Sequence, residues 1–153
     1  MRLPDARMIM GGVESQGPAD RGGLCWGMTA RRYFSARLLR ALRDGKILGL
    51  RAGGETHRFI GIWVVVVERR VFVRSWGLKA SGWYHALRAV PRALLSVEGR
   101  EIRARAVHTR SERLRAAVDR AYLEKYDSPG SVRYARDLGR ARSRSTTTEL
   151  VPV

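Results

Sequence analysis

The chain has 153 residues, 44% of them hydrophobic, enough for one domain with a modest core. Its longest apolar run, Ile60 to Val67, is a strand length and far below the roughly 20 residues of a membrane-spanning helix, and no apolar segment follows a basic start, so a cytoplasmic protein with no membrane partner is expected. The net charge is +16, and the lone cysteine, Cys25, excludes an internal disulfide.

Residues 1–28 carry Gly, Pro and Asp without periodicity and read as a disordered tail; residues 29–153 read as the folded domain. The tail is neutral, with Arg2, Arg7 and Arg21 against Asp5, Glu14 and Asp20, so the whole positive charge belongs to the rest. Thr29 to Asp44 has Phe34, Leu38, Leu39 and Leu42 at helical spacing, with Thr29 as N-cap and arginines on the other face. Ile47 to Ala52 is a short strand and Gly53-Gly54-Glu55-Thr56 a turn. His57 to Val67, rich in β-branched residues, reads as one long buried strand. Glu68-Arg69-Arg70 turns the chain into the strand Val71 to Trp76. Ser81 caps a helix that Pro91 stops after Ala89. Ala93 to Val97 and Glu101 to Val107 are two strands joined by a turn at Glu98-Gly99-Arg100. Thr109 and Glu112 form a capping box for a helix whose apolar face holds Leu114, Val118 and Tyr122. Tyr122, Lys125 and Tyr126 are expected to serve packing or a dimer contact. Pro129 opens a short helix through Leu138, Arg140 to Arg144 is a basic linker, and Thr146 to Val151 a last strand. Six antiparallel strands with peripheral helices predict a mainly β (α+β) fold, a closed or split barrel.

The chemistry is concentrated between Phe59 and Leu87. There a strand ends in Arg74-Ser75-Trp76 with Lys79 beyond it, and a helix opens at Gly82-Trp83-Tyr84. Cationic and hydroxyl donors that converge on a phosphate make charge-assisted bonds, and Trp76, Trp83 and Tyr84 offer faces for a planar ring. Trp83 and Tyr84 are adjacent on a helix, so they face different ways. Arg51, Thr56, His57 and Arg58 sit at the neighbouring strand ends. His85 and His108 lack a second ligand at metal spacing, and no Walker-type or Gly-x-Ser-x-Gly motif occurs.

His57-Arg58-Phe59-Ile60-Gly61-Ile62-Trp63, Val71-Phe72-Val73-Arg74-Ser75-Trp76, Gly82-Trp83-Tyr84, Lys125-Tyr126-Asp127 and the ending Thr147-Thr148-Glu149-Leu150-Val151-Pro152 resemble a bacterial family filed as a domain of unknown function. The strand order is similar to that of the split β-barrel superfamily of pyridoxamine-phosphate oxidases, flavin reductases and deazaflavin-dependent nitroreductases. That resemblance implies a homodimer that binds FMN or 8-hydroxy-5-deazaflavin and transfers hydride to a small-molecule substrate. It implies cofactor contacts at Arg51, Thr56, His57, Arg58, Arg74, Ser75, Trp76, Lys79, Trp83 and Tyr84. Two positions depart from the pattern. Ala52-Gly53-Gly54-Glu55-Thr56 stands where a Gly-Arg-Lys-Ser-Gly-like phosphate loop is usual, and Val90 where asparagine is. A barrel that has lost its cofactor and serves as a binding or accessory protein is therefore the alternative.

A nucleic-acid-binding module is the third reading. Only Lys46, Lys79 and Lys125 are lysine, the other basic residues are arginine and asparagine is absent, a bias of GC-rich codons that weakens the charge argument. The charge is also spread along every element of the sequence.

Overall fold

The computed structural model describes residues 32–53, 58–77 and 82–153. Among these residues seven antiparallel strands form one sheet: β1 (Leu48–Ala52), β2 (Ile60–Ile62), β3 (Val64–Val67), β4 (Arg70–Val73), β5 (Arg92–Val97), β6 (Arg100–His108) and β7 (Thr148–Pro152). Their spatial order is β2-β1-β5-β6-β7-β4-β3. The two end strands, β2 and β3, are consecutive in the chain and separated by Trp63 alone. The sheet therefore curls until its ends meet at one residue, and the result is a nearly closed split barrel.

This junction explains why seven strands form where six are expected. The run predicted as one strand breaks at Trp63, because its two halves pair with different neighbours: Ile60 with Leu50 and Ile62 with Leu48, but Val64 with Val73 and Val67 with Arg70. A break strands backbone groups, and each must find a partner. Side chains at the end of a helix supply them. The Val64 N–H donates to the Tyr126 hydroxyl at 3.1 Å, which itself donates to the Lys46 carbonyl at 2.5 Å. The Lys125 ammonium donates to the carbonyls of Val64 (2.8 Å) and Leu42 (2.7 Å), and the Tyr122 hydroxyl to that of Trp63 (3.3 Å). The Trp63 ring lies flat on Tyr126, with centroids 3.9 Å apart and planes 4° from parallel.

Among the described residues there are five helices: α1 (Ala36–Asp44), α2 (Trp83–Ala89), α3 (Glu112–Lys125), α4 (Val132–Leu138) and α5 (Ala141–Arg144). Several ends differ from the sequence reading. Ser35 caps α1, its hydroxyl taking the Leu38 N–H; Phe34 lies before the helix and is buried, and Thr29 is outside the described residues. Ser111, not Thr109, caps α3, because the Thr109 N–H is taken by the Thr147 carbonyl at 2.9 Å and holds that residue to the sheet. Ser81 is also outside the described residues, and Gly82 precedes α2. The expected basic linker is helical over α5, and its Arg144 joins ion pairs rather than solvent. Two hairpin turns take left-handed backbone at both central residues, Glu98-Gly99 and Glu68-Arg69. Glycine adopts that conformation without penalty; Glu68 and Arg69 do so at a cost of about 1 kcal/mol or more each.

Alternation along the strands sorts the sheet into two faces. The inner face carries Leu48, Leu50, Val64, Val71, Val73, Leu95, Ala104 and Leu150, with Leu39 and Leu42 of α1 and Leu87 of α2 packed in the same core. The outer face of β3 and β4 carries Val65 and Phe72, which join Leu114, Val118 and Tyr122 of α3 and Ala135 and Leu138 of α4 in a second cluster. The outer face of β1, β5 and β6 carries no helix in either cluster. Among the described residues, no helix is long and apolar enough to cross a membrane. The predicted tail, residues 1–28, lies outside the described residues.

Candidate functional site

A cleft of about 970 Å3 opens where the sheet ends meet, lined by residues of β2, the β2–β3 junction, the segment after β4, the start of α2 and α4. The chain puts its exposed apolar surface there. Eight large hydrophobic side chains are exposed among the described residues, and four of them, Ile47 (59%), Ile60 (40%), Trp76 (59%) and Tyr134 (38%), line this cleft. Scattered single hydrophobics mean little, but several facing one concavity mark a binding surface. A second cleft of about 570 Å3 beside α1 is lined by Arg37, Arg40, Asp44, Ser96 and Glu98 and by no aromatic residue.

The walls are aromatic. Trp63 and Trp76 both meet the Tyr134 ring edge-on, at centroid distances of 6.5 and 5.8 Å. Trp83 at the start of α2 lines the cleft and packs on the barrel core. Arg58 at the rim is exposed. The fold thus brings together five of the ten residues singled out from sequence: Arg58, Arg74, Ser75, Trp76 and Trp83. Arg51 and Tyr84 lie elsewhere. Arg51 is on the outer face of β1, its guanidinium 5.0 Å over the Phe59 ring. Tyr84 is not among the cleft's lining residues; its ring meets that of Trp83 edge-on at 6.2 Å, and its hydroxyl receives a hydrogen bond from Arg88 (3.2 Å), whose same nitrogen lies 3.3 Å from His108 Nδ1. Thr56, His57 and Lys79 are outside the described residues.

Arg74 and Ser75 line the cleft but spend their polar atoms inward. The Arg74 side chain is fully buried. Its Nε donates to Thr147 Oγ1 (2.8 Å), Nη1 to Asp119 Oδ1 (2.6 Å) and to the Leu138 carbonyl (2.9 Å), and Nη2 to the Arg115 carbonyl (2.9 Å). Burial pulls this guanidinium below its ordinary value, and Asp119 opposes that pull. Arg144 reaches the other Asp119 oxygen at 2.9 Å and also grips Glu112, contacts that raise the Arg144 guanidinium and hold the Glu112 carboxyl below the usual carboxylate range. The Ser75 N–H donates to Thr146 Oγ1 (2.8 Å), and the Ser75 hydroxyl is hydrogen-bonded to the Gly77 carbonyl. Arg74 therefore ties β4, α3, α4 and the approach to β7 together two residues before Trp76 and so anchors the segment that carries that wall.

Trp63, Tyr134, Ile47 and Ile60 are cleft residues that the sequence reading passed over. Trp63 had a signal, since an indole interrupts an otherwise β-branched run. Tyr134 had none, because it reaches the cleft only through the packing of α4. No group of three or more His, Cys, Asp or Glu positioned for a metal ion occurs among the described residues.

Residues 37–150 match the model of a family described as an uncharacterized protein conserved in bacteria, DUF2255. No curated protein matches the chain. Among solved structures, the conserved hypothetical protein Rv2991 from Mycobacterium tuberculosis is similar at 13% identity and a TM-score of 0.53, over 82% of this chain and 85% of that one. A candidate pyridoxamine 5′-phosphate oxidase from Listeria innocua is similar at 12% identity and a TM-score of 0.53, over 76% and 89%. The heme storage protein HutZ from Vibrio cholerae is similar at 14% identity and a TM-score of 0.53, over 77% and 89%. At these identities the likeness is one of fold.

Proposed function

We propose that this chain, which belongs to the bacterial family DUF2255, holds a flavin-type cofactor, FMN or a deazaflavin, in the aromatic cleft. The observation that carries this reading is the concentration of exposed apolar side chains on one cleft walled by Trp63, Trp76, Trp83 and Tyr134. The cleft's lining suits a planar conjugated ring. Trp76 and Trp83 come to it from different segments, Tyr134 braces both Trp63 and Trp76, and Ile47 and Ile60 add exposed apolar surface to its lining. Arg58 supplies the cation for an anionic tail, with Thr56, His57 and Lys79 as further contacts. Arg74 does not grip the phosphate in this scheme; it holds the Ser75-Trp76 wall in place. Such a cofactor, when bound, supplies hydride transfer to a small-molecule acceptor, and the protein's part is to bind, orient and dry the ring. A homodimer belongs to the same proposal, and sedimentation of the purified chain tests it.

The absorption spectrum of freshly purified protein is the first test, followed by titration with FMN, FAD, riboflavin and a deazaflavin. We expect yellow protein or quenched flavin fluorescence. We further expect Arg58→Gln to weaken FMN more than riboflavin, and Trp76→Ala to weaken both. Colourless protein that leaves the fluorescence of every flavin unchanged overturns the proposal. One observation favours a second reading, a small-molecule-binding protein without a cofactor: the donors of Arg74 and the hydroxyl of Ser75 are already satisfied within the fold. Binding of non-flavin aromatic ligands in the same cleft, with no flavin bound, is the outcome that selects it.

A further inference from the structure

The outer face of β1, β5 and β6, over which no described helix packs, gathers arginine that the linear sequence scatters. Register places Arg92 directly opposite Arg105, Arg103 opposite Leu94, and Leu94 opposite Arg51. Residues directly opposite in an antiparallel pair point the same way, and so do residues two apart on one strand. Arg51, Arg92, Arg103 and Arg105 therefore share one face. Their inward neighbours Leu50, Ala52, Ala93, Leu95 and Ala104 are all buried in the barrel. With strands about 4.8 Å apart and alternate residues about 6.8 Å apart, the four side chains leave a patch roughly 10 Å across.

Three features of this patch point outward. Arg92 and Arg105 form a like-charge pair, which opposes strand pairing rather than supporting it. None of the four arginines makes an ion pair with a described residue, whereas Arg70, Arg74, Arg113, Arg140 and Arg144 all do. Glu101 is the one acidic residue on the exposed part of this face. A second copy of the chain is a poor occupant, since it would set eight arginines against one another. A lipid surface is poorly served as well, because four of the exposed large hydrophobics, Ile47, Ile60, Trp76 and Tyr134, are drawn to the cleft. Unpaired bases need aromatic platforms, and the one aromatic ring beside the patch, Phe59, lies under Arg51. What remains is a dense array of phosphates on a rigid scaffold. Guanidinium forks match phosphate oxygens, and a duplex carries one charge per about 1.7 Å of its axis.

We infer that the outer face of β1, β5 and β6 is a docking surface for the phosphate backbone of double-stranded nucleic acid, read without base specificity. The inference goes beyond the cleft and does not depend on what the cleft binds. It is tested with the full chain and a labelled mixed-sequence DNA duplex of about 20 base pairs, by fluorescence anisotropy from roughly 50 to 300 mM KCl. Binding should fall linearly on a log–log plot against salt. The triple variant R92Q/R103Q/R105Q should weaken binding at least about tenfold near 100 mM salt and flatten the slope by roughly 2.7, or about 0.9 for each lost contact. The variant R92K/R103K/R105K keeps the charge and should keep the slope. R37Q/R40Q/R43Q on the exposed face of α1 removes the same three charges and should change affinity by less than about threefold, because the contact is local rather than a property of net charge. Each variant is checked by a cooperative thermal melt. The inference is overturned by no duplex binding at about 50 mM salt, by equal losses in the two glutamine triples, by tighter binding of single strands than of duplex, or by binding to phosphatidylserine vesicles without binding to DNA.

Discussion

On the outer face of β4 and β7, Arg70 meets Glu149 at 2.7 Å and lies over the Phe72 ring, while α3 and α4 cover the sheet beside them. On the same face of the same sheet, over β5 and β6, Arg92 stands opposite Arg105, with no helix above and no ion pair made among the described residues. The alternation of strand residues is the same in both regions, and arginine occurs in both. What differs is the cover. Under helices, an arginine must find acceptors or forfeit its hydration, and each does: Arg74 alone makes four bonds. Without cover, water satisfies the guanidinium, and nothing in the fold demands a partner. The half covered by α3 and α4 uses arginine to hold its layers together, whereas on the other half the arginines pair with no described residue.

Substitutions on the two faces should therefore differ in size and even in sign. Arg74→Ala is expected to cost the most, about 3–5 kcal/mol in urea unfolding, because it strips donors from the carbonyls of Leu138 and Arg115 and from Thr147. Arg74→Lys should recover little of that, since one ammonium does not replace a planar fork. Loss of less than about 1 kcal/mol in Arg74→Ala would break the comparison. Tyr126→Phe keeps the Trp63 stack but removes the hydroxyl that serves Val64 and Lys46, and is expected to cost about 1–3 kcal/mol.

A pH effect of intermediate size belongs to the same covered junction. Burial pulls the Lys125 ammonium down to about 8 from 10.5, with Lys46 adding to the pull. Between those values the unfolded chain binds more protons than the folded one, so stability rises with pH from about 8 toward 10.5 and is lost again as pH falls through 8. Burial pushes the Tyr126 phenol up to about 12 from 10.0, so its contribution is intact below 10 and lost between 10 and 12, and burial pushes Tyr122 in the same direction. Thermal melts across this range should show a maximum near pH 10, and Lys125→Met should flatten the rising limb while leaving the falling one. The smallest effect is expected on the bare face, and it is a gain. Arg105→Thr removes a like-charge pair and should stabilise by about 0.2–1 kcal/mol at low salt, with the gain fading as salt is raised. A loss from Arg105→Thr would mean that the bare face resembles the covered one.

How much of this was legible beforehand varies by element. α1, β1, β5, β6 and the body of α3 follow from hydrophobic period and turn residues, since local patterning and burial agree there. The caps of α1 and α3 each fell on a different residue from the one expected, because a serine nearer the first turn was available. The break at Trp63 was not legible: His57 to Val67 reads as one strand despite the indole in its β-branched run, and only its two different pairing partners divide it. In the cleft, Arg58, Ser75, Trp76 and Trp83 carried sequence signals, whereas Tyr134 is some fifty residues from the nearest of them and enters through helix packing. Arg74 was visible as a cation at a strand end, but its burial was not.

The family, the barrel class and the exclusion of a disulfide were determined by the sequence itself, because each rests on residue type and spacing, which do not depend on distant contacts. Which arginines are structural and which face outward was decided only by the tertiary structure. A guanidinium's role depends on whether a helix lies over it, and that follows from which edges of the sheet pair and where the chain turns. The +16 charge, all of it beyond the neutral first 28 residues, is divided by the fold between ion-paired arginines such as Arg70, Arg74 and Arg144 and, across β1, β5 and β6, arginines that pair with no described residue.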